Sequence, residues 1–293
     1  MEVTVHWWLQ FMHRMLAVLQ ILGRGFGQVM FQNSVLSGWL MLVGICIHSW
    51  QMGLLAIVGN LVSTLTAYFS GYDQSAIKNG LYGFNGVLVG MAVGVFLKLS
   101  WEAIFLLFLG SCLSTWIVRV FGLQRYVSGF TAPFILSVWA MISFCTFCKP
   151  EWLLVSDSVA DSVQGVSFIS TFSKSVGQVM FQGNSWTGFM FLVAILLNSR
   201  IGLFYAVLGS MLSIPLAILL GVEADIMNMG LMGYNGVLGA MALGDRTWKG
   251  FWGAVCAVFL SVILQLMGMN AGIPTLTAPF VLSVWLIQVT FRF

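Results

Sequence analysis

Leu81 to Gly94 reads LYGFNGVLVGMAVG, and Leu231 to Gly244 reads LMGYNGVLGAMALG, one pattern written twice at an offset of 150 residues. Outward from it, Gly27 to Gln32 (GQVMFQ) recurs unchanged as Gly177 to Gln182, again 150 apart. Thr131 to Trp139 (TAPFILSVW) recurs as Thr277 to Trp285 (TAPFVLSVW), 146 apart. Three blocks in one order at a nearly constant offset make the chain an internal duplication. The copies are residues 1–150 and 151–293, and the seam falls in the most polar stretch, Lys149 to Gln164.

Composition sets the solvent. Of 293 residues, 59% are apolar and 7% charged, against about 25% charged in a soluble domain. With a mean hydropathy of +0.97 the chain holds material for about ten spans of roughly 20 residues each. This excludes a soluble enzyme, a secreted disulfide scaffold and a nucleic-acid binder, and predicts an all-α polytopic membrane protein. The N-terminus lacks a basic n-region and a small-residue cleavage site, so the first span is expected to be retained. Five cysteines without framework spacing argue against disulfides, and Cys145 and Cys148 are expected to pack in the membrane.

The nine acids, Glu2, Asp73, Glu102, Glu151, Asp157, Asp161, Glu223, Asp225 and Asp245, all fall in connections or at span edges. Proton relays, many ion-coupled carriers and membrane enzymes rely on intramembrane carboxylates, so their absence from mid-span weakens all three. The three histidines, His6, His13 and His48, lie in the first half only and form no i,i+4 pair. No cofactor or metal is expected, and what crosses is expected to be neutral.

In the first half, apolar helices read at 8–33, 35–49, 51–70, 101–121 and 131–147. The block 73–98 differs, because the polar run Asp73 to Asn79 leads into Gly80, Gly83, Phe84, Asn85 and Gly86. Glycines on both sides of Phe84-Asn85 disfavour a continuous helix, which predicts a re-entrant segment at 73–98 and another at 223–244. The competing reading is a glycine-rich span that allows close helix packing. Five spans per half would invert one copy relative to the other. With both termini inside, Arg14, Arg119, Arg125, Arg246, Lys249 and Arg292 are cytoplasmic, whereas Lys78, Lys98, Lys149 and Arg200 lie outside.

Polar residues repeated inside apolar helices need a reason. Gln28 and Phe31, three apart, are expected on one helix face, as are Gln178 and Phe181. A glutamine amide in lipid costs free energy without a partner, and a narrow water-containing pore supplies one. Phe84 and its counterpart Tyr234 stand at the breaks as opposing walls, and two facing rings admit a flat molecule but no hydrated ion. Helix–helix packing remains the alternative for these side chains. Thr131 and Thr277 either cap their helices, ahead of Pro133 and Pro279, or meet on a central axis. Leu88 and Leu238, one turn past the breaks, would complete an apolar constriction.

These three duplicated blocks resemble those of the bacterial and animal urea transporters, over essentially the whole chain from Arg14 to Trp285. The short termini look more like a bacterial member, of Actinobacillus type. The resemblance implies a homotrimer with one pore per protomer, each pore between two inverted halves of five helices and a re-entrant helix. It implies passive, bidirectional, channel-like passage of urea across the inner membrane. Carried over by motif, slots would pair Phe31 with Phe84 and Phe181 with Tyr234. Gln28 and Gln178 would take urea amide hydrogens, Leu88 and Leu238 would flank the slots, and Thr131 and Thr277 would line the constriction. Tyr234 departs from the pattern by adding a hydroxyl to the second slot. The blocks also continue differently, as Asn33-Ser34 and Gly183-Asn184, so the two helix ends need not match.

The chemistry of urea suits this implication: it is planar and neutral, and it needs replacement hydrogen-bond partners along any dry path. Three other classes stay open on sequence grounds. They are a sodium-coupled carrier of small neutral amino acids, an ammonia channel with paired pore histidines, and a membrane-embedded enzyme.

Overall fold

The structure is a computed structural model that describes residues 2–123, 127–154 and 165–291, without the side chains of 2–7, 9 and 291. Arg125, Asp157, Asp161, Arg292, part of the polar seam and the side chains of Glu2 and His6 lie outside the described residues. The described residues fold as helices. The first half holds α1 (Glu2–Gln28), α2 (Val35–His48), α3 (Trp50–Phe69), α4 (Gln74–Lys78), α5 (Gly83–Phe96), α6 (Trp101–Leu123) and α7 (Ala132–Cys148). The second holds α8 (Phe168–Gly177), α9 (Ser185–Asn198), α10 (Arg200–Leu219), α11 (Ala224–Asn228), α12 (Tyr234–Leu243), α13 (Trp248–Asn270) and α14 (Ala278–Phe291).

Among the described residues, α3, α6, α10 and α13 are long and apolar enough to cross a membrane. Helices α2, α5, α7 and α14 are shorter, and at about 1.5 Å per residue a 14-residue helix such as α2 spans about 21 Å. That is short of the roughly 30 Å of a bilayer core. The outer surface is apolar: Trp101, Phe147 and Leu219 are more than 80% exposed. In a soluble fold such side chains would be buried; here they suit contact with hydrocarbon. The chain is a polytopic helical membrane protein.

Two expectations need correction. The first helix does not run to residue 33 but ends at Gln28, so Gln28 and Phe31 do not share a helix face. Phe31 turns into the left-handed region (φ 58°), and the Gln32 N–H bonds back to the Gly27 carbonyl at 2.9 Å. Ser34 then caps α2 by accepting from the Ser37 N–H, and Asn184 caps α9 by accepting from Trp186 and Thr187. Cap-forming residues at 33–34 were the signal against a continuous helix. The glycines flanking Phe84-Asn85 do not break the chain either, because α5 runs unbroken from Gly83. The break lies at Gly80 (φ +73°), against the Gly25 backbone, and at Gly230 (φ +78°) in the second half. Gly86 instead lets α5 press on α3, where a β-carbon would run into the Gly59 carbonyl.

Contacts between the halves occur in exchanged pairs. The Trp139 indole donates to the Pro274 carbonyl at 2.8 Å, and its counterpart Trp285 donates to the Ser128 carbonyl at 2.8 Å. Helices α2 and α9, which occupy equivalent places in the repeat, pack side by side. Thr187, near the start of α9, donates to the Gly44 carbonyl near the end of α2 at 3.1 Å. Asn198, at the end of α9, donates to Gln32, just before α2, at 3.0 Å. The two helices therefore run antiparallel.

Candidate solute pathway

At the breaks of the first half the structure holds a cavity of about 750 Å³. Gln28, Phe31, Phe84, Asn85, Phe130 and Thr131 line it, with Gln288 and Val289 contributed from α14. Among the described residues that line it, none is titratable.

Gln28 closes α1, and its Nε2 donates to the Asn79 carbonyl, at the end of α4, at 2.9 Å. That bond fixes which end of the amide is which, and among the described residues Oε1 receives no donor. Gln178 repeats the arrangement toward the Met229 carbonyl at 2.9 Å. Phe31 and Phe181 sit on left-handed backbone (φ 58° and 54°), a conformation that costs a non-glycine residue on the order of 1 kcal/mol. It is held by the Gln32 and Gln182 side chains, which donate to the Met30 and Met180 carbonyls at 2.6 and 2.9 Å. Both halves keep this strain, and in both it swings a ring off the helix end toward the other half.

The Phe31 ring meets Phe280 edge-on at 6.2 Å, and in exchange Phe181 meets Phe134 at 6.1 Å. Phe130 packs against both Phe31 and Phe280, at 6.2 and 5.4 Å. Phe84, the second residue of α5, is brought to the same cavity as Phe31. Thr131 and Thr277, both 3% exposed, place their hydroxyls 2.7 Å apart. Of the two readings left open for them, the hydroxyls meet each other, and Thr131 makes no side-chain cap. Leu88 and Leu238 are buried in the central core and do not line the cavity.

Tyr234 opens α12 in the place Phe84 holds in α5. Its hydroxyl donates to the Leu276 carbonyl at 2.5 Å and lies 3.3 Å from both Gln265 Oε1 and Thr275 Oγ1. The corresponding first-half residues are Val118, Gly129 and Phe130, which line the cavity and carry no polar side-chain atom, so the polar cluster of the second half has no counterpart in the first.

Sequence reasoning missed Asn85 and Asn235 as structural residues. Asn85 Oδ1 accepts the Phe134 N–H at 3.1 Å and Asn235 Oδ1 accepts the Phe280 N–H at 3.1 Å, which ties each break to the first turn of α7 or α14. Their presence in both copies of the opening block was the available signal. Phe130 falls just outside a repeated block and carried none.

A cavity lined, among the described residues, by aromatic rings and neutral amides, inside an apolar helical shell, marks a helical membrane protein with a candidate solute pathway. The family model for urea transporters matches residues 19–290. The chain is 31% identical over 280 residues to urea transporter 1 of Mus musculus, covering 86% of this chain and 71% of that protein. It is 30% identical over 307 aligned positions to urea transporter 1 of Ovis aries, covering 94% of this chain and 78% of that protein. The chain belongs to the urea transporter family, and is a membrane transport protein rather than an enzyme.

Proposed function

We propose that this protein passes urea passively and bidirectionally across the membrane, through a narrow filter of aromatic walls with amide and carbonyl acceptors. The observation that carries the reading is the orientation of Gln28. Its amide nitrogen is spent on Asn79, which leaves a carbonyl oxygen beside a cavity walled by Phe31 and Phe84. A urea N–H finds an acceptor there while the rings cover its apolar faces, and a hydrated ion finds no charge among the described lining residues to replace its water. Gln178 and Phe181 serve the same purpose in the second half with Tyr234, and Leu88 and Leu238 back the walls from the core. The threonine pair forms the one small polar station between the two slots.

The pathway runs between two inverted halves, residues 1–150 and 151–293, with 73–98 and 223–244 entering and leaving on one side. Equivalent helices α2 and α9 running antiparallel, with exchanged tryptophan and phenylalanine contacts, support that arrangement. The basic residues favour both termini on the cytoplasmic side of an inner membrane. The family and the apolar outer surface favour a homotrimer with a pore in each protomer.

Stopped-flow light scattering on proteoliposomes without any ion gradient tests the mechanism. Urea equilibration well above protein-free vesicles, equal in both directions, is the expected result. Uptake that appears only with a sodium gradient would overturn it.

A further inference from the structure

We infer that Asn85 is the residue that receives the carbonyl oxygen of the permeant, and that it does so in the first half only; the inference rests on the urea reading above. Urea carries an acceptor oxygen as well as its N–H groups, and Gln28 Oε1 serves only the latter. A matching donor must come from elsewhere. Asn85 is fully buried and lines the cavity. Its Oδ1 is committed to the Phe134 N–H, and that contact fixes the orientation of the amide, since an N–H needs an oxygen opposite it. Its Nδ2 has no hydrogen-bond partner among the described residues. A buried donor left without a partner is costly, and such groups call for an explanation.

The second half shows what would silence this donor. Asn235 holds the same Oδ1 contact, to Phe280, but its Nδ2 donates to Gln265 Oε1 at 3.0 Å and lies 3.3 Å from the Leu276 carbonyl. Gln265 is the eighteenth residue of the 23-residue α13, and the eighteenth residue of the 23-residue α6 is Val118, which lines the cavity beside Asn85. The change from Gln265 to Val118 thus removes the side-chain acceptor that Asn235 has and Asn85 lacks. A ligand with a strong acceptor oxygen flanked by N–H donors fits the first-half pair of Asn85 Nδ2 and Gln28 Oε1. A ligand of the same shape with a weak acceptor, such as thiourea, gains little from Asn85.

The test installs the missing partner. In Val118→Gln the new carbonyl engages Asn85 Nδ2 as Gln265 engages Asn235, and Val118→Met controls for the added bulk. Relative to V118M, the permeability of V118Q proteoliposomes to urea should fall about three- to tenfold, and that to thiourea less than about twofold. Equal falls for both solutes, or no fall for urea in a folded V118Q protein, would overturn the assignment of Asn85. Wild-type vesicles that show no urea permeability would instead overturn the urea reading itself. Should V118Q fail to assemble, Phe84→Tyr carries the same test, because it copies Tyr234 and puts a hydroxyl next to the amide; it should lower urea selectively in the same way.

Discussion

Replacing Thr131 and Thr277 by valine, singly and together, separates what the central hydroxyl pair does for the fold from what it does for the solute. The two oxygens lie 2.7 Å apart and each residue is 3% exposed, so neither hydroxyl has water to fall back on. Removing one leaves the other buried without its partner, which costs about 1–3 kcal/mol in soluble proteins. Hydrogen bonds between membrane helices average about 0.6 kcal/mol and reach about 1.7, so about 1 kcal/mol is expected for each single variant. The double variant removes both polar atoms and keeps the branched shape, so it should return to within about 0.5 kcal/mol of wild type. The coupling energy of the cycle is then at least about 1 kcal/mol. Thermal unfolding in detergent, followed by the fluorescence of the 12 tryptophans, measures it. Urea flux should behave in the opposite sense, with the stable double variant the slowest, about fivefold below wild type for the loss of one polar station near 1 kcal/mol. Strictly additive stability losses would refute the mutual dependence of the hydroxyls. An unchanged flux in the double variant would make the pair purely structural.

Three further outcomes follow from the same geometry. Gln28→Leu should lower urea permeability about three- to tenfold by removing the Oε1 acceptor, and a protein that assembles normally yet transports at the wild-type rate would exclude Gln28 from the path. Gly80→Ala should fold poorly, since a β-carbon at φ +73° against the Gly25 backbone adds strain and a clash worth more than about 1 kcal/mol; yield and melting temperature in detergent report it. Urea flux should be flat across roughly pH 5–8, the window in which histidine titrates, because no titratable group lines the cavity among the described residues; a sigmoidal profile measured at constant vesicle integrity would contradict that.

The sequence revealed the order of the elements because a membrane helix is written in apolar residues and its interruptions in polar ones. The boundaries of α2, α3, α6 and α7 come within about two residues of those expected. The end of α1 was not legible in the same way. Val29, Met30 and Phe31 look like the continuation of an apolar helix, and only the caps at Ser34 and Asn184 betray the turn. The glycines of the opening block carried two messages that composition cannot separate. Gly80 bends the chain through a positive φ, whereas Gly86 sits in a regular helix and serves close approach to α3. For the site, Gln28, Phe31, Phe84 and Thr131 converge on one cavity as residues marked by repetition. The partners that orient them, Asn79 and Met229 for the glutamines, are backbone carbonyls and leave no trace in residue identity.

The duplication also accounts for where the buried polar groups go unpaired. Among the described residues four such side-chain atoms lack a partner: Ser37 Oγ, Asn85 Nδ2, Ser111 Oγ and Gln182 Oε1. Three of them have a satisfied counterpart in the other copy. Thr187, opposite Ser37 in the repeat, donates to Gly44; Gln32, opposite Gln182, accepts from Asn198; Asn235, opposite Asn85, donates to Gln265. In the last two cases the partner is what changed, since His48 stands where the repeat has Asn198 and Val118 where it has Gln265. Ser111 differs, because its counterpart Val258 carries no polar atom. A polar residue that outlives its partner is a cost without a return unless something else satisfies it. Ser37, on α2, and Gln182, just before α9, do not line the cavity, and there the simplest account is a divergence the fold tolerates. Asn85 lines the cavity, and a solute whose oxygen needs a donor passes where its partner is missing. That difference in location is the physical reason for assigning a role to Asn85 and none to the other two.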